Sequence, residues 1–108
     1  MRKIVVATIA CTFSLASYAQ DDLSYESVWK GLEPKAKARC AELHDSFYLQ
    51  EVCLKNEKSG YLAMKSNYGM PSKVAMAAKD RCLKLHPSWY LRDVCMKNES
   101  KSYQKLNQ

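Results

Sequence analysis

Arg39–Tyr61 reads RCAELHDSFYLQEVCLKNEKSGY, and Arg81–Tyr103 reads RCLKLHPSWYLRDVCMKNESKSY. The stretches lie 42 residues apart and agree at 13 of 23 positions. Their shared frame is R-C-x2-L-H-x-S-x-Y-L-x2-V-C-x-K-N-E-x3-Y. Phe47/Trp89, Glu51/Asp93 and Leu54/Met96 are conservative differences within it. The chain therefore contains one unit used twice. A solenoid needs about three or more repeats, so the expected outcome is two similar halves packed on one another.

Each half reads as two helices. In the second, Tyr68-Gly69-Met70-Pro71 is a turn, and Pro71 or Ser72 starts a helix running to Leu85. Its Ala, Lys, Leu and Met content favours helix, and Val74, Ala78, Cys82 and Leu85 fall on one face. His86-Pro87-Ser88 breaks the run, because proline cannot extend that helix but can begin another. Trp89 to about Leu106 follows, with Tyr90, Leu91, Val94 and Cys95 on one stripe. In the first half, Glu33-Pro34 opens a helix to Leu43, His44-Asp45-Ser46 turns, and Phe47 to about Ser66 is helical. A short extra helix is expected around Ser24–Lys30, ended by Gly31. No segment alternates as a strand would.

The midpoint of Cys40 and Cys53 falls between Ser46 and Phe47, and that of Cys82 and Cys95 between Ser88 and Trp89. In an antiparallel helical hairpin, residues equidistant from the turn face each other, within the ~4.4–6.8 Å between Cα atoms that a disulfide requires. Of the three connectivities four cysteines allow, this geometry selects Cys40–Cys53 and Cys82–Cys95. The arrangement resembles the cysteine-stapled helical hairpins of the twin-CX9C proteins. Here the spacing is CX12C with one pair per hairpin, and no function is carried over from that family.

The N-terminus reads as an export signal. Arg2 and Lys3 precede the apolar run Ile4–Ala16, and Ser17-Tyr18-Ala19 offers small residues to a signal peptidase. The run is shorter than the ~20 residues of a membrane span. Thr8-Ile9-Ala10-Cys11 loosely resembles a lipoprotein box, with Thr8 the wrong leading residue. Cleavage after Ala19 removes Cys11 and turns five cysteines into four, an even set suited to disulfides in an oxidising compartment. The expected organisation is 1–19 signal peptide, 20–32 N-terminal segment, 33–68 first hairpin and 69–108 second hairpin. Localisation is read as secreted or periplasmic.

The 108-residue chain has 17 basic and 11 acidic residues. Without the signal, the balance is uneven: Gln20–Ser66 carries 7 basic and 8 acidic residues, Asn67–Gln108 8 basic and 3 acidic. No C-x-x-C, Ser-His-Asp order or Gly-rich phosphate loop is present. Paired carboxylates at Glu51 and Asp93 read as the wet edge of an amphipathic helix. His44 and His86 sit at equivalent turns, where they end helices; with the cysteines bridged they lack the three or four ligands a metal site takes. No cofactor and no metal is expected, and catalysis is not.

Binding remains. In Phe47-Tyr48 and Trp89-Tyr90 the adjacent rings point about 100° apart on a helix. Tyr48 and Tyr90 align with the expected core stripe, leaving Phe47 and Trp89 as candidates for a contact surface; the alternative is that both rings close the hairpin by packing over the turn. The partner expected first is another exported or envelope protein, in an inhibitor, immunity or assembly role. The alternative is an anionic polymer or membrane headgroup bound through the basic second half, with Arg81, Lys84 and Arg92 as candidates. The sequence thus predicts an all-α domain of two tandem disulfide-stapled antiparallel helical hairpins, with four main helices and a short N-terminal fifth.

Overall fold

The computed structural model describes residues 25–108. The signal-peptide reading of 1–19 and Ser24 lie outside the described residues. Helix α1 covers residues 25–43, α2 Phe47–Ala63, α3 Ser72–Leu85 and α4 Trp89–Leu106. There is no strand among the described residues. The chain divides into two compact units, up to Gly31 and from Leu32 to Gln108. In the first, residues 25–31 are helical and Trp29 is buried. The second holds both hairpins.

Residues 25–43 are helical without a break, so the expected separate helix at Ser24–Lys30 is not found. Gly31 does not end a helix and Glu33-Pro34 does not open one. Proline's fixed φ is itself helical; at Pro34 the chain gives up one N–H bond without being forced to turn. The turn expected at Tyr68–Pro71 is present, with Tyr68 at φ 54° and Gly69 at φ 78°. Left-handed backbone is natural for glycine. At Tyr68 it is tolerated because the side chain and carbonyl are both held by α4, as described below.

The two hairpins are built alike. Cys40–Cys53 joins α1 to α2 and Cys82–Cys95 joins α3 to α4, each with Cα atoms 5.8 Å apart. Closing a loop of that size restricts the unfolded chain by about 3 kcal/mol. Ser46 and Ser88 cap the second helix of each hairpin, their Oγ atoms accepting from the Leu49 and Leu91 N–H groups at 3.3 Å. Across each turn a side chain returns to the preceding helix end. Gln50 Nε2 donates to the His44 carbonyl at 2.8 Å, and Arg92 Nε donates to the His86 carbonyl. These are equivalent positions of the repeat, so two different residue types perform the same clamp. His44 and His86 thus close helices, their own N–H groups bonding the Cys40 and Cys82 carbonyls.

The core lies in the second hairpin and the loop leading to it: Met64, Met70, Ala75, Ala78, Cys82 and Met96, with Tyr68, Val74, Trp89, Cys95 and Tyr103 packed against them. Small alanines on α3 let α4 approach closely, and flexible methionines fill the remaining gaps. The expected face of α3 needs one correction. Leu85 is 69% exposed, and Ala75 takes the inward place instead. The stripe of α4 also differs from expectation. Its buried residues are Asp93, Met96 and Ser100, spaced i, i+3, i+7, while Tyr90 and Leu91 face solvent. Two polar residues on the inward face hid this stripe from a hydrophobicity count. Their polarity is satisfied by the loop: Tyr68 Oη donates to Asp93 Oδ1 at 2.6 Å, and Ser100 Oγ donates to the Tyr68 carbonyl at 2.7 Å.

Candidate binding surface

The seam between the hairpins is made by α2 lying against the tip of the second hairpin. Its residues are Glu57, Gly60 and Tyr61, which are the buried positions of α2. Glu57, 5% exposed, takes two hydrogen bonds from the head of α4. Ser88 Oγ donates to Glu57 Oε1, and the Trp89 N–H donates to Oε2 at 2.8 Å. The first N–H groups of a helix have no partner within it, so this carboxyl group completes what the serine cap begins. Gly60 permits the approach. A Cβ there would stand 2.6 Å from the Trp89 carbonyl carbon and 2.8 Å from the Tyr90 nitrogen. Tyr61 then meets the Trp89 ring edge-on, centroids 4.9 Å apart. The Arg92 guanidinium lies over the same Trp89 ring, 4.3 Å from its centroid.

Two open clefts flank the seam. One, of 470 Å³, lies between α1 and the second tip and is lined by Arg39, Glu57, Trp89 and Arg92 among others. The other, of 370 Å³, includes Leu43, His44, Ser88 and Tyr90. Burial lowers the affinity of Arg92 for its proton, and the nearby positive charge of Arg39 adds to this against the opposing pull of Glu57.

The first hairpin tip has the same local structure and different surroundings. Ser46 is exposed where Ser88 is 6% exposed. Phe47, the counterpart of Trp89, is 86% exposed, and Tyr48 and Leu43 beside it are exposed as well. Phe47 and Trp89 therefore have different surroundings. Phe47 stands free in solvent, while Trp89 is half-buried in the seam. Tyr48 and Tyr90, expected in the core, are both exposed, Tyr48 at 72%. The α4 stripe passes through Trp89 and Asp93, so Trp89 is the inward member of its pair, while in the first hairpin neither ring is inward.

The basic candidates are engaged within the fold. Arg81 pairs with Glu99 at 3.1 Å, Lys84 with Asp80 at 2.9 Å, and Arg92 bonds the His86 and Leu83 carbonyls. Glu51 and Asp93, the equivalent carboxylates, pair with Lys55 at 3.2 Å and Lys97 at 3.1 Å and do not meet. Sequence reasoning missed Glu57 and Gly60. Glu57 recurs as Glu99 and so carries no sign of its special place, and Gly60 opposite Ser102 is one of three consecutive unmatched positions, its only signal being a glycine inside a helix. Comparison with protein-family models, curated proteins and solved structures returned no match.

Proposed function

We propose that this chain is an exported protein without catalytic activity that acts by binding another exported or envelope protein through the tip of its first hairpin. The carrying observation is the cluster Leu43, Phe47 and Tyr48, exposed around one three-residue turn, while Trp89, the second hairpin's counterpart of Phe47, is drawn toward α2 and leaves only Leu85 and Tyr90 of the matching three exposed. Exposed aromatics on a rigid, cross-linked support lose little freedom on binding and make strong anchors. Export is supported by the signal pattern at Met1–Ala19 and by two disulfides, which persist in oxidising compartments. Among the described residues no helix is long and apolar enough to cross a membrane. The anionic-polymer alternative has less behind it, because Arg81, Lys84 and Arg92 are already paired or bonded within the fold.

The test is retention from an envelope extract on immobilised protein, comparing the unaltered chain with Phe47→Ala and washing at low and high salt. A protein retained at high salt and lost with Phe47→Ala supports the reading. Binding to phosphate-bearing polymers falls steeply with salt. Retention that vanishes with salt and ignores Phe47, or no Phe47-dependent retention, overturns it.

A further inference from the structure

The duplication makes each half a reference for the other, and the second half shows its tip occupied. At Ser88–Trp89 the occupant is a helix that brings a carboxyl group, a glycine one turn on and an aromatic ring: Glu57, Gly60 and Tyr61. Ser46–Phe47 repeats that tip with the same serine cap and an aromatic in the same place. Ser46 Oγ accepts from the Leu49 N–H, as Ser88 Oγ does from Leu91, and its own proton has no acceptor among the described residues.

We infer that the Ser46–Phe47 tip is a docking site for a helix of a partner protein carrying the pattern Glu-x-x-Gly-aromatic, with the glutamate received by Ser46 Oγ and the Phe47 N–H. This names the partner chemistry for the surface in the preceding section and rests on that reading. A second copy of this chain is a poor occupant. Its α2 is already used in its own seam, and the equivalent residues of α4 are Glu99, Ser102 and Tyr103. Glu99 is paired with Arg81, Tyr103 is packed against the core, and Ser102 carries the Cβ that the close crossing forbids. A head-to-tail contact that does not close generates filaments; the Ser102 side of the repeat blocks that growth while the Ser46 side stays open to a different chain.

The probe is a hydrocarbon-stapled peptide of the α2 sequence Leu54–Lys65, LKNEKSGYLAMK, with its helicity confirmed by circular dichroism. It is titrated into the disulfide-bonded protein and followed by amide chemical shifts. The expected result is a shift centred on Ser46, Phe47 and Tyr48. Affinity should drop about tenfold when the peptide carries Glu57→Gln, and fall below detection when it carries Gly60→Leu. Phe47→Ala in the protein should abolish binding, and Ser46→Ala should weaken it while circular dichroism shows the fold intact. No shift at these amides at millimolar peptide overturns the inference, as does binding indifferent to the peptide's glutamate and glycine, or shifts confined to Ser88–Trp89. If the peptide fails while Phe47-dependent retention of an envelope protein persists, this inference falls and the broader binding reading stands.

Discussion

Ser46-Phe47-Tyr48-Leu49 and Ser88-Trp89-Tyr90-Leu91 are equivalent segments that begin helices with the same cap, each beside a disulfide of the same span. One is solvated and the other is half-buried, received by α2. Local sequence therefore decides the hairpin, and a few residues elsewhere decide which tip is covered. Those residues are a carboxyl group and a glycine on α2, neither of which belongs to the tip. The reciprocal contact, α4 on the first tip, is not made: Ser102 stands where Gly60 permits the approach, and Glu99 is paired with Arg81.

The sharpest way to break the distinction is at Gly60. Gly60→Leu places a branched side chain against the backbone of Trp89 and Tyr90, where nothing flexible can yield. Overpacking of this kind should cost about 3 kcal/mol and loosen the seam, while Ser102→Leu at the equivalent exposed position should change stability by less than about 0.5 kcal/mol. Urea unfolding of both variants measures the contrast. Equal losses would mean that the seam does not depend on the missing Cβ.

Next in size is the carboxyl group. Glu57→Leu leaves the Ser88 hydroxyl and the Trp89 N–H buried without their acceptor, a loss of about 2 kcal/mol. Glu99→Leu removes only an ion pair at the surface with Arg81, worth about 0.5 kcal/mol or less. A difference between the two below about 0.5 kcal/mol would show that the α4 head is satisfied by water instead.

Much of this was legible in the sequence. Helix ends at Leu85 and Trp89, both cysteine pairs and the serine turns follow from spacing, proline and capping rules, because these are local. The tertiary choice was not legible. Glu57 and Glu99 look alike in the frame, and which one turns inward depends on how the hairpins cross. Asp93 and Ser100 misdirected the reading of α4, since a polar residue faces inward without penalty when a partner such as Tyr68 supplies its hydrogen bond. The 100° step between neighbours predicts opposite environments for Phe47 and Tyr48, and both are exposed because no element among the described residues packs over this tip.

Tyr68 sharpens the comparison from the loop side, because Asp93 is held by it and the equivalent Glu51 is not. Tyr68→Phe should lose about 1 kcal/mol with the Asp93 bond. Burial raises the Tyr68 phenol above its ordinary value of 10.0, and the hydrogen bond and charge of Asp93 raise it further. Above pH 10.0 the unfolded chain releases this proton while the folded chain keeps it, so the folded state loses stability as pH rises through that range. Tyrosinate absorbance should show a component that ionises late and disappears in Tyr68→Phe. Identical titrations of the two proteins would remove Tyr68 from the account of alkaline unfolding.

The smallest effect is expected at Phe47, and it isolates what the seam adds. With its ring 86% exposed, Phe47→Ala should shift stability by less than about 0.5 kcal/mol. Trp89→Ala removes a ring in contact with Tyr61 and Arg92 and should cost about 2 kcal/mol, below the full-burial range because the ring is only half-buried. The two residues occupy the same place in the same local structure, so the gap between them divides between the contact with α2 and the contacts Trp89 makes with Arg92 and the core of its own hairpin. That attribution has its own check. Trp89→Ala made in the Gly60→Leu background should cost less than in the unaltered chain, by the share that α2 contributes, because that neighbour has already been pushed away while Arg92 and the core remain. Neighbouring residues that share a contact depart from additivity in this way; a Trp89→Ala penalty unchanged by Gly60→Leu would place the ring's contribution inside the second hairpin and leave the seam without it.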